Sequence, residues 1–320
     1  MRPLVILLLA GLACGLSPES SAMGPRPPGP KPRLMAVLGD SIAAGTLADV
    51  PIPHAPTPEE SVRLWHDQGV DANFLYTNKR TLSWGSGEKI RSHFVLLRQW
   101  MKEHGIEEGL EVANLSKPGA ETSELAGQVD RLNALLDEGG YSRLDYVAVD
   151  IGSNDACNWN PAKDFPLEEI RENVLRALAA IAKGLKRDRP DAAPTRVLLV
   201  GVPRVPNLGT PAIRNSSTLF GLSCATVRDR ILRYCNPLTV WSGEAEYLER
   251  LAVVESVNGV LRSAALEAGA IFPGLEVAYS DRLFQLEIPI GALAADCFHP
   301  GRWAQELIAL QTWKDQPWFH

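Results

Sequence analysis

The sequence predicts an α/β protein built on a mainly parallel sheet with helices packed against both faces. Three observations carry this. Short apolar runs alternate with amphipathic helical stretches along most of the chain. Several of the runs are nearly continuous rather than alternating, as strands covered on both faces are. Consecutive runs are separated by enough chain for a helical crossover.

The elements follow in order. Residues 34–38 are an apolar run ending at Gly39 and read as the first strand. Residues 46–86 are irregular, interrupted by Pro51, Pro53, Pro56 and Pro58. Residues 88–104 read as a helix, with Ile90, Phe94, Leu97 and Met101 near a 3.6-residue period. A strand is expected at 110–115. A helix at 122–138 carries Leu125, Val129, Leu132 and Leu136 on one stripe and ends before Gly139-Gly140. Residues 146–151 read as a strand, 167–185 as a long helix and 196–202 as a strand closed by Pro203. A long Cys-containing insertion occupies 203–243. A helix at 245–268, a strand at 270–275 and a helix at 300–313 complete the chain.

The first residues read as a targeting segment. Arg2 precedes an apolar run from Leu4 to Leu16, Pro18 breaks it, and Ser20-Ser21-Ala22 forms a small-x-small cleavage site. Residues 1–22 are therefore expected to be a secretory signal peptide, too short to span a bilayer comfortably. Two alternatives stand beside this: a buried N-terminal element, and a lipid anchor on Cys14 after Gly11-Leu12-Ala13. The bacterial lipoprotein pattern prefers Leu or a similar residue where Gly11 stands. Residues 23–33 are a Pro-rich spacer unable to pack a core. Residues 34–320 are expected to form a single domain.

The 320 residues are 45% hydrophobic and 22% charged, which excludes collagen-like, disulfide-dense and bulk-disordered classes. The net charge of −6 argues against a nucleic-acid partner, which would require clustered Lys and Arg. Removing 1–22 leaves that charge unchanged and reduces five Cys to four: Cys157, Cys224, Cys235 and Cys297. An even number in an exported chain suggests two disulfides. No cluster has metal-ligand spacing, and no metal or cofactor is expected.

Ligands of parallel sheets bind beyond the carboxyl ends of the strands, so the residues after each strand carry the chemistry. After the first strand comes Gly39-Asp40-Ser41, with Gly45 beyond it; a Ser there suits a nucleophile on a tight turn, or simply a capping residue. After the second comes Ser116-Lys117-Pro118-Gly119, where Gly119 lets a backbone N–H approach a ligand, or merely turns the chain. After the third comes Gly152-Ser153-Asn154-Asp155, where Asn154 offers an amide donor or an Asx turn. Asp296-Cys297-Phe298-His299 places a carboxylate three residues before an imidazole, able to orient the ring or to cap a helix. Together these segments supply a nucleophile, oxyanion donors and an Asp–His pair. His54, His66, His93, His104 and His320 have no Asp three residues before them and follow no strand.

Gly-Asp-Ser, the later Gly119, Gly-x-Asn-Asp and Asp-x-x-His, in this order across 39–301, resemble the blocks of the SGNH (GDSL) esterase/lipase family. The resemblance implies a flavodoxin-like three-layer α/β/α sandwich and carboxylic ester hydrolysis. It implies Ser41 as nucleophile, His299 as general base and acid, and Asp296 as the orienting carboxylate. It implies an oxyanion hole from the Ser41 and Gly119 N–H groups and the Asn154 side chain. The Gly-x-Ser-x-Gly elbow of the α/β-hydrolases is absent. Leu82-Ser83-Trp84-Gly85, Asp155-Ala156-Cys157 and Asp296-Cys297-Phe298-His299 are similar to the phospholipase B-like branch.

Cys224 and Cys235 enclose a short loop and are the easiest pair. Cys157 and Cys297 then remain, both near proposed site residues. The expected bridges are Cys157–Cys297 and Cys224–Cys235, although three pairings are open. The expected function is a secreted or periplasmic serine esterase acting on a small-molecule or lipid ester, including phospholipid and lysophospholipid acyl esters. A carbohydrate O-acetyl esterase and a catalytically silent surface or binding protein are the alternatives. Trp65, Trp84, Trp159 and Trp241 are candidates to line a substrate groove, with a structural role the stronger reading for each. The −6 charge makes attraction to anionic membranes weak, so membrane contact would be transient and a lipid held by apolar contacts.

Overall fold

The structure is a computed structural model that describes residues 31–49, 78–186, 193–218 and 221–320. The expected signal peptide, residues 23–30 of the spacer, and Cys14, His54, His66 and Trp65 lie outside the described residues.

One sheet is built from β1 (Arg33–Gly39), β2 (Leu110–Asn114), β3 (Leu144–Asp150), β4 (Thr195–Val200) and β5 (Leu275–Ser280). Its order is β2-β1-β3-β4-β5 and every pairing is parallel. The longer helices are α1 (His93–Glu103), α2 (Leu125–Asp137), α3 (Leu167–Lys186), α4 (Glu244–Ile271) and α5 (Arg302–Trp313).

Side chains alternate along a strand, so each strand feeds two cores. Leu34, Ala36 and Leu38 of β1 pack with Val129 of α2, Ile181 of α3 and Leu261 of α4. Met35 and Val37 face the other way and pack with Phe94 and Leu97 of α1 and Ile308 of α5. Burial on both faces explains the continuous apolar runs. The result is the expected three-layer α/β/α sandwich with flavodoxin-like strand order. The chain leaves β1 toward β2 on one side and returns to β3 on the other. The crevice this opens, beyond the carboxyl ends of β1 and β3, is where both Ser41 and Asn154 emerge.

Two boundaries differ most from expectation. Helix α1 begins at His93, not residue 88, because the Ser92 hydroxyl accepts from the Val95 N–H and caps it there. The expected strand at 270–275 is the end of α4, which runs through Gly269 to Ile271. Pro273 stops the helix, and the strand begins at Leu275. β5 is an edge strand with Glu276 exposed, so it lacks the apolar run that marks the inner strands.

The disulfides are Cys157–Cys235 and Cys224–Cys297, with Cα separations of 4.7 and 5.5 Å. This corrects the expected Cys157–Cys297 and Cys224–Cys235 pairs. The segment between Cys224 and Cys235 is not a closed loop: residues Ala225–Leu232 are helical. A helix of that length carries its ends roughly 10 Å apart, beyond the reach of a disulfide. Each bridge instead ties the 203–243 insertion to one loop at the sheet rim, one beside Asn154 and one beside His299.

Candidate active site

The turn after β1 is held from several sides. Asp40 Oδ1 accepts from the Ile42 N–H at 2.9 Å, and the Thr46 N–H donates to the Ser41 carbonyl at 3.0 Å. The Asn114 amide and the Ser83 hydroxyl both donate to the Ala43 carbonyl, at 2.8 and 2.7 Å. The Gln305 amide donates to the Ile42 carbonyl at 3.1 Å, and its Oε1 accepts from the Trp84 N–H at 2.9 Å. Trp84 is fully buried. The Leu82-Ser83-Trp84 segment is therefore a support beneath the Ser41 turn, and Trp84 lines no groove.

Gly119 lies beyond β2 with φ +78°, a conformation open to Gly at little cost. Asn154 sits in the short helix Ser153–Cys157 beyond β3. Its Nδ2 donates one hydrogen to the Ala120 carbonyl at 2.9 Å, which fixes the amide and leaves the second hydrogen available. Asp155 binds the Thr122 N–H at 3.0 Å and its hydroxyl at 2.6 Å, joining the Asn154 helix to the segment after Gly119.

Asp296 and His299 share a tight loop. Asp296 Oδ1 accepts from the N–H groups of Phe298 and His299, each at 3.0 Å, while Oδ2 meets His299 Nδ1 at 2.5 Å. The Ala294 N–H donates to the His299 carbonyl at 2.7 Å and closes the loop. Helix α5 starts later, at Arg302, so Asp296 does not cap it. Burial alone would raise the Asp296 carboxyl. The His299 charge, its ring bond and the two backbone donors outweigh burial and hold Asp296 below the usual carboxylate value.

Ser41, Asn154 and His299 line one cavity. Its remaining wall is largely apolar and includes Leu208 and Ile213 of the insertion, Leu286 and Ile288 after β5, and Phe298. Asp296 is buried behind His299. Gly119 lies on an adjoining, more polar cleft that shares Asn154 with this cavity. The arrangement thus brings a hydroxyl, a carboxylate-oriented imidazole and an amide donor to one apolar-walled space. Trp159 lines the adjoining cleft. Trp241 donates its indole N–H to the Pro206 carbonyl at 2.9 Å and braces the insertion.

The GDSL-like lipase/acylhydrolase family profile matches residues 35–312, which contain all of these elements. The chain belongs to this family. The enzyme is accordingly a carboxylic ester hydrolase. Solved structures similar to it include TesA, 17% identical, with 89% of this chain and 98% of that chain covered and a TM-score of 0.44. Est24, a carbohydrate acetylesterase from Sinorhizobium meliloti, is 13% identical over 88% of this chain and 99% of that one, with a TM-score of 0.45. The lipase Lip_vut3 from a goat rumen metagenome is 14% identical over 88% and 96%, with a TM-score of 0.46. No curated protein matches the chain.

Sequence reading missed a second feature of the enzyme's site, a buried carboxyl pair under the Ser41 turn. Asp40 and Asp150 are both fully buried, and the Asp40 N–H donates to the Asp150 carbonyl at 3.1 Å. Asp40 Oδ2, both Asp150 carboxyl oxygens and Ser153 Oγ make no hydrogen bond of ordinary geometry among the described residues, although Ser153 stands close to Asp40 and the Trp84 indole close to Asp150. An Asp at the end of an apolar run was the only signal. Burial pushes Asp40 up to about 7, opposed by the Ile42 N–H and the His299 charge. Burial and the Asp40 charge raise Asp150 well above the usual range.

A carboxyl raised in the folded state holds a proton that the unfolded chain releases. Its contribution to stability therefore falls as pH rises from about 4 to about 7. Asn at position 40 has no such dependence. The melting temperature of Asp40→Asn is expected to gain on that of the parent as pH rises from about 5 to about 8. A difference that stays flat across that range refutes the assignment.

Proposed function

We propose that the enzyme hydrolyses esters of apolar acyl chains through an acyl-enzyme on Ser41, with phospholipid or lysophospholipid acyl esters as the substrate class. The observation that carries this reading is the meeting of Ser41, Asn154 and His299 on one cavity whose other walls are largely apolar, with Ser153, Arg204 and Asn207 the polar exceptions. His299, held through Nδ1 by Asp296, takes the Ser41 proton at its other ring nitrogen as Oγ bonds to the ester carbon. The carbonyl oxygen becomes an oxyanion, received by the Asn154 amide with the Ser41 and Gly119 N–H groups. His299 then gives its proton to the departing alcohol. Water, deprotonated by His299, attacks the acyl-enzyme, and the acid leaves as Ser41 recovers its proton.

A fluorophosphonate probe should label Ser41 in the native enzyme, as peptide mass spectrometry would read. Absence of labelling in a folded, active sample would count against Ser41 as nucleophile and favour a different reacting group. Asn154→Ala should lower kcat by roughly 10²–10³ with little change in KM if the amide acts on the oxyanion. A change confined to KM would assign Asn154 to ground-state binding instead.

The apolar walls favour a longer acyl chain over acetate, since each buried methylene contributes about 0.8 kcal/mol. Higher kcat/KM for octanoyl than acetyl esters is the expected result, and the reverse supports the carbohydrate O-acetyl reading. The two disulfides support an exported protein, consistent with residues 1–22 as its signal peptide, 23–33 as spacer and 34–320 as a single hydrolase domain.

A further inference from the structure

Beside the apolar cavity lies a second, polar cleft that the hydrolysis steps above leave unassigned. The two spaces meet at Asn154, where the oxyanion would sit. An ester held there with its acyl chain in the apolar cavity must send its alcohol elsewhere, and the polar cleft is the adjoining space. Tyr234 forms part of its wall and places its ring edge-on to His299, with centroids 5.8 Å apart. That puts the cleft beside the group that protonates the leaving alcohol.

The charge of the cleft is one-sided. It contains Arg233 and Arg250 but only one carboxyl, Glu121, which already accepts from the Asn158 amide. Arg250 is engaged already, paired with Glu246 at 3.5 Å and lying 6.0 Å from the Trp159 ring centre. Arg233 is exposed and its guanidinium has no ion-pair partner among the described residues. The backbone keeps it on the rim: Arg233 and Cys235 both take left-handed φ, at 55° and 53°, and the Cys157–Cys235 bridge fastens this turn to the Asn154 helix. Arg204 and Arg230 of the insertion lie outside this cleft, so Arg233 is the cation the insertion presents to it, at a set position relative to the oxyanion donor.

We propose that this cleft binds the alcohol half of the ester and that Arg233 reads a phosphate group carried on that alcohol. The proposal rests on the reading of Ser41 as nucleophile and specifies what the same site selects. A guanidinium meets phosphate with two parallel N–H donors, which a neutral alcohol cannot engage in the same way.

The test compares monooctanoylglycerol with its phosphate ester, below aggregation, and uses p-nitrophenyl octanoate as a control that carries no headgroup. The parent enzyme should prefer the phosphate ester. Arg233→Gln should lower the ratio of kcat/KM for phosphate over neutral ester by about tenfold, mostly through KM, and Arg233→Lys by less. Glycerol phosphate should inhibit the parent competitively and the Gln variant much more weakly. A ratio unchanged by Arg233→Gln, or a parent enzyme with no preference, overturns the proposal. Faster cleavage of an octanoyl sugar than of either glycerol ester overturns it in favour of a neutral carbohydrate site. Hydrolysis of p-nitrophenyl octanoate that survives Ser41→Ala would instead overturn the nucleophile reading beneath it.

Discussion

Ser41→Ala is expected to lower kcat for p-nitrophenyl esters by on the order of 10³ or more while leaving the fold intact. The loss is large because the covalent route disappears altogether. What remains is water attack assisted by the oxyanion donors. The fold survives because the turn is held by other groups. Asp40 binds the Ile42 N–H, Asn114 and Ser83 bind the Ala43 carbonyl, and Gln305 binds the Ile42 carbonyl. None of these bonds uses the Ser41 hydroxyl. Circular dichroism and the melting temperature should match the parent. A variant whose turnover stays within tenfold of the parent would remove Ser41 from the chemistry.

Gly39→Ala is expected to have the largest effect on stability. Gly39 ends β1 at φ +135°, and a Cβ there would stand 1.9 Å from the Asp150 carbonyl oxygen and 2.8 Å from its carbon. Those atoms belong to the backbone of β3, which pairs with β1 through this register. They cannot swing away as a side-chain tip can. Gly39 is also clamped on its other groups: its N–H donates to Gln128 Oε1 at 2.7 Å, and its carbonyl accepts from Gln128 Nε2 at 2.8 Å. Relief would require separating two central strands, at a cost of about 4 kcal/mol or more. The variant should express insolubly or melt well below the parent. A melting temperature within a few degrees of the parent would show that the strand ends can part. The glycine of Gly-Asp-Ser is thus required by the closeness of two strands, apart from any part in catalysis.

Much of the fold was legible because the inner strands are covered on both faces. That burial writes itself into sequence as unbroken apolar runs such as Leu34–Leu38. Where the cover is one-sided the signal failed. β5 alternates like an edge strand, and the helix before it passed through Gly269 without stopping. The site was legible to the extent that its groups sit directly after strands or three residues apart in one loop, as Asp296 and His299 do. Local spacing dictates such contacts.

Features made by segments distant in sequence were not legible. The bridge partners depended on where the insertion packed, and proximity along the chain was misleading because a helix intervened between Cys224 and Cys235. Ser83-Trp84 was ambiguous until Gln305, more than two hundred residues away, was found joining Trp84 to the Ser41 turn.

By itself the sequence determined the layered α/β class and the family. It also marked the residues beyond each strand, because burial pattern and turn chemistry are local properties. Only the tertiary structure decided the disulfide pairing, the apolar wall beside Ser41, the buried Asp40–Asp150 pair and the Arg233 rim. These arise where remote segments are pressed together. That packing is governed by shape and volume across the whole core, which no short stretch of sequence records.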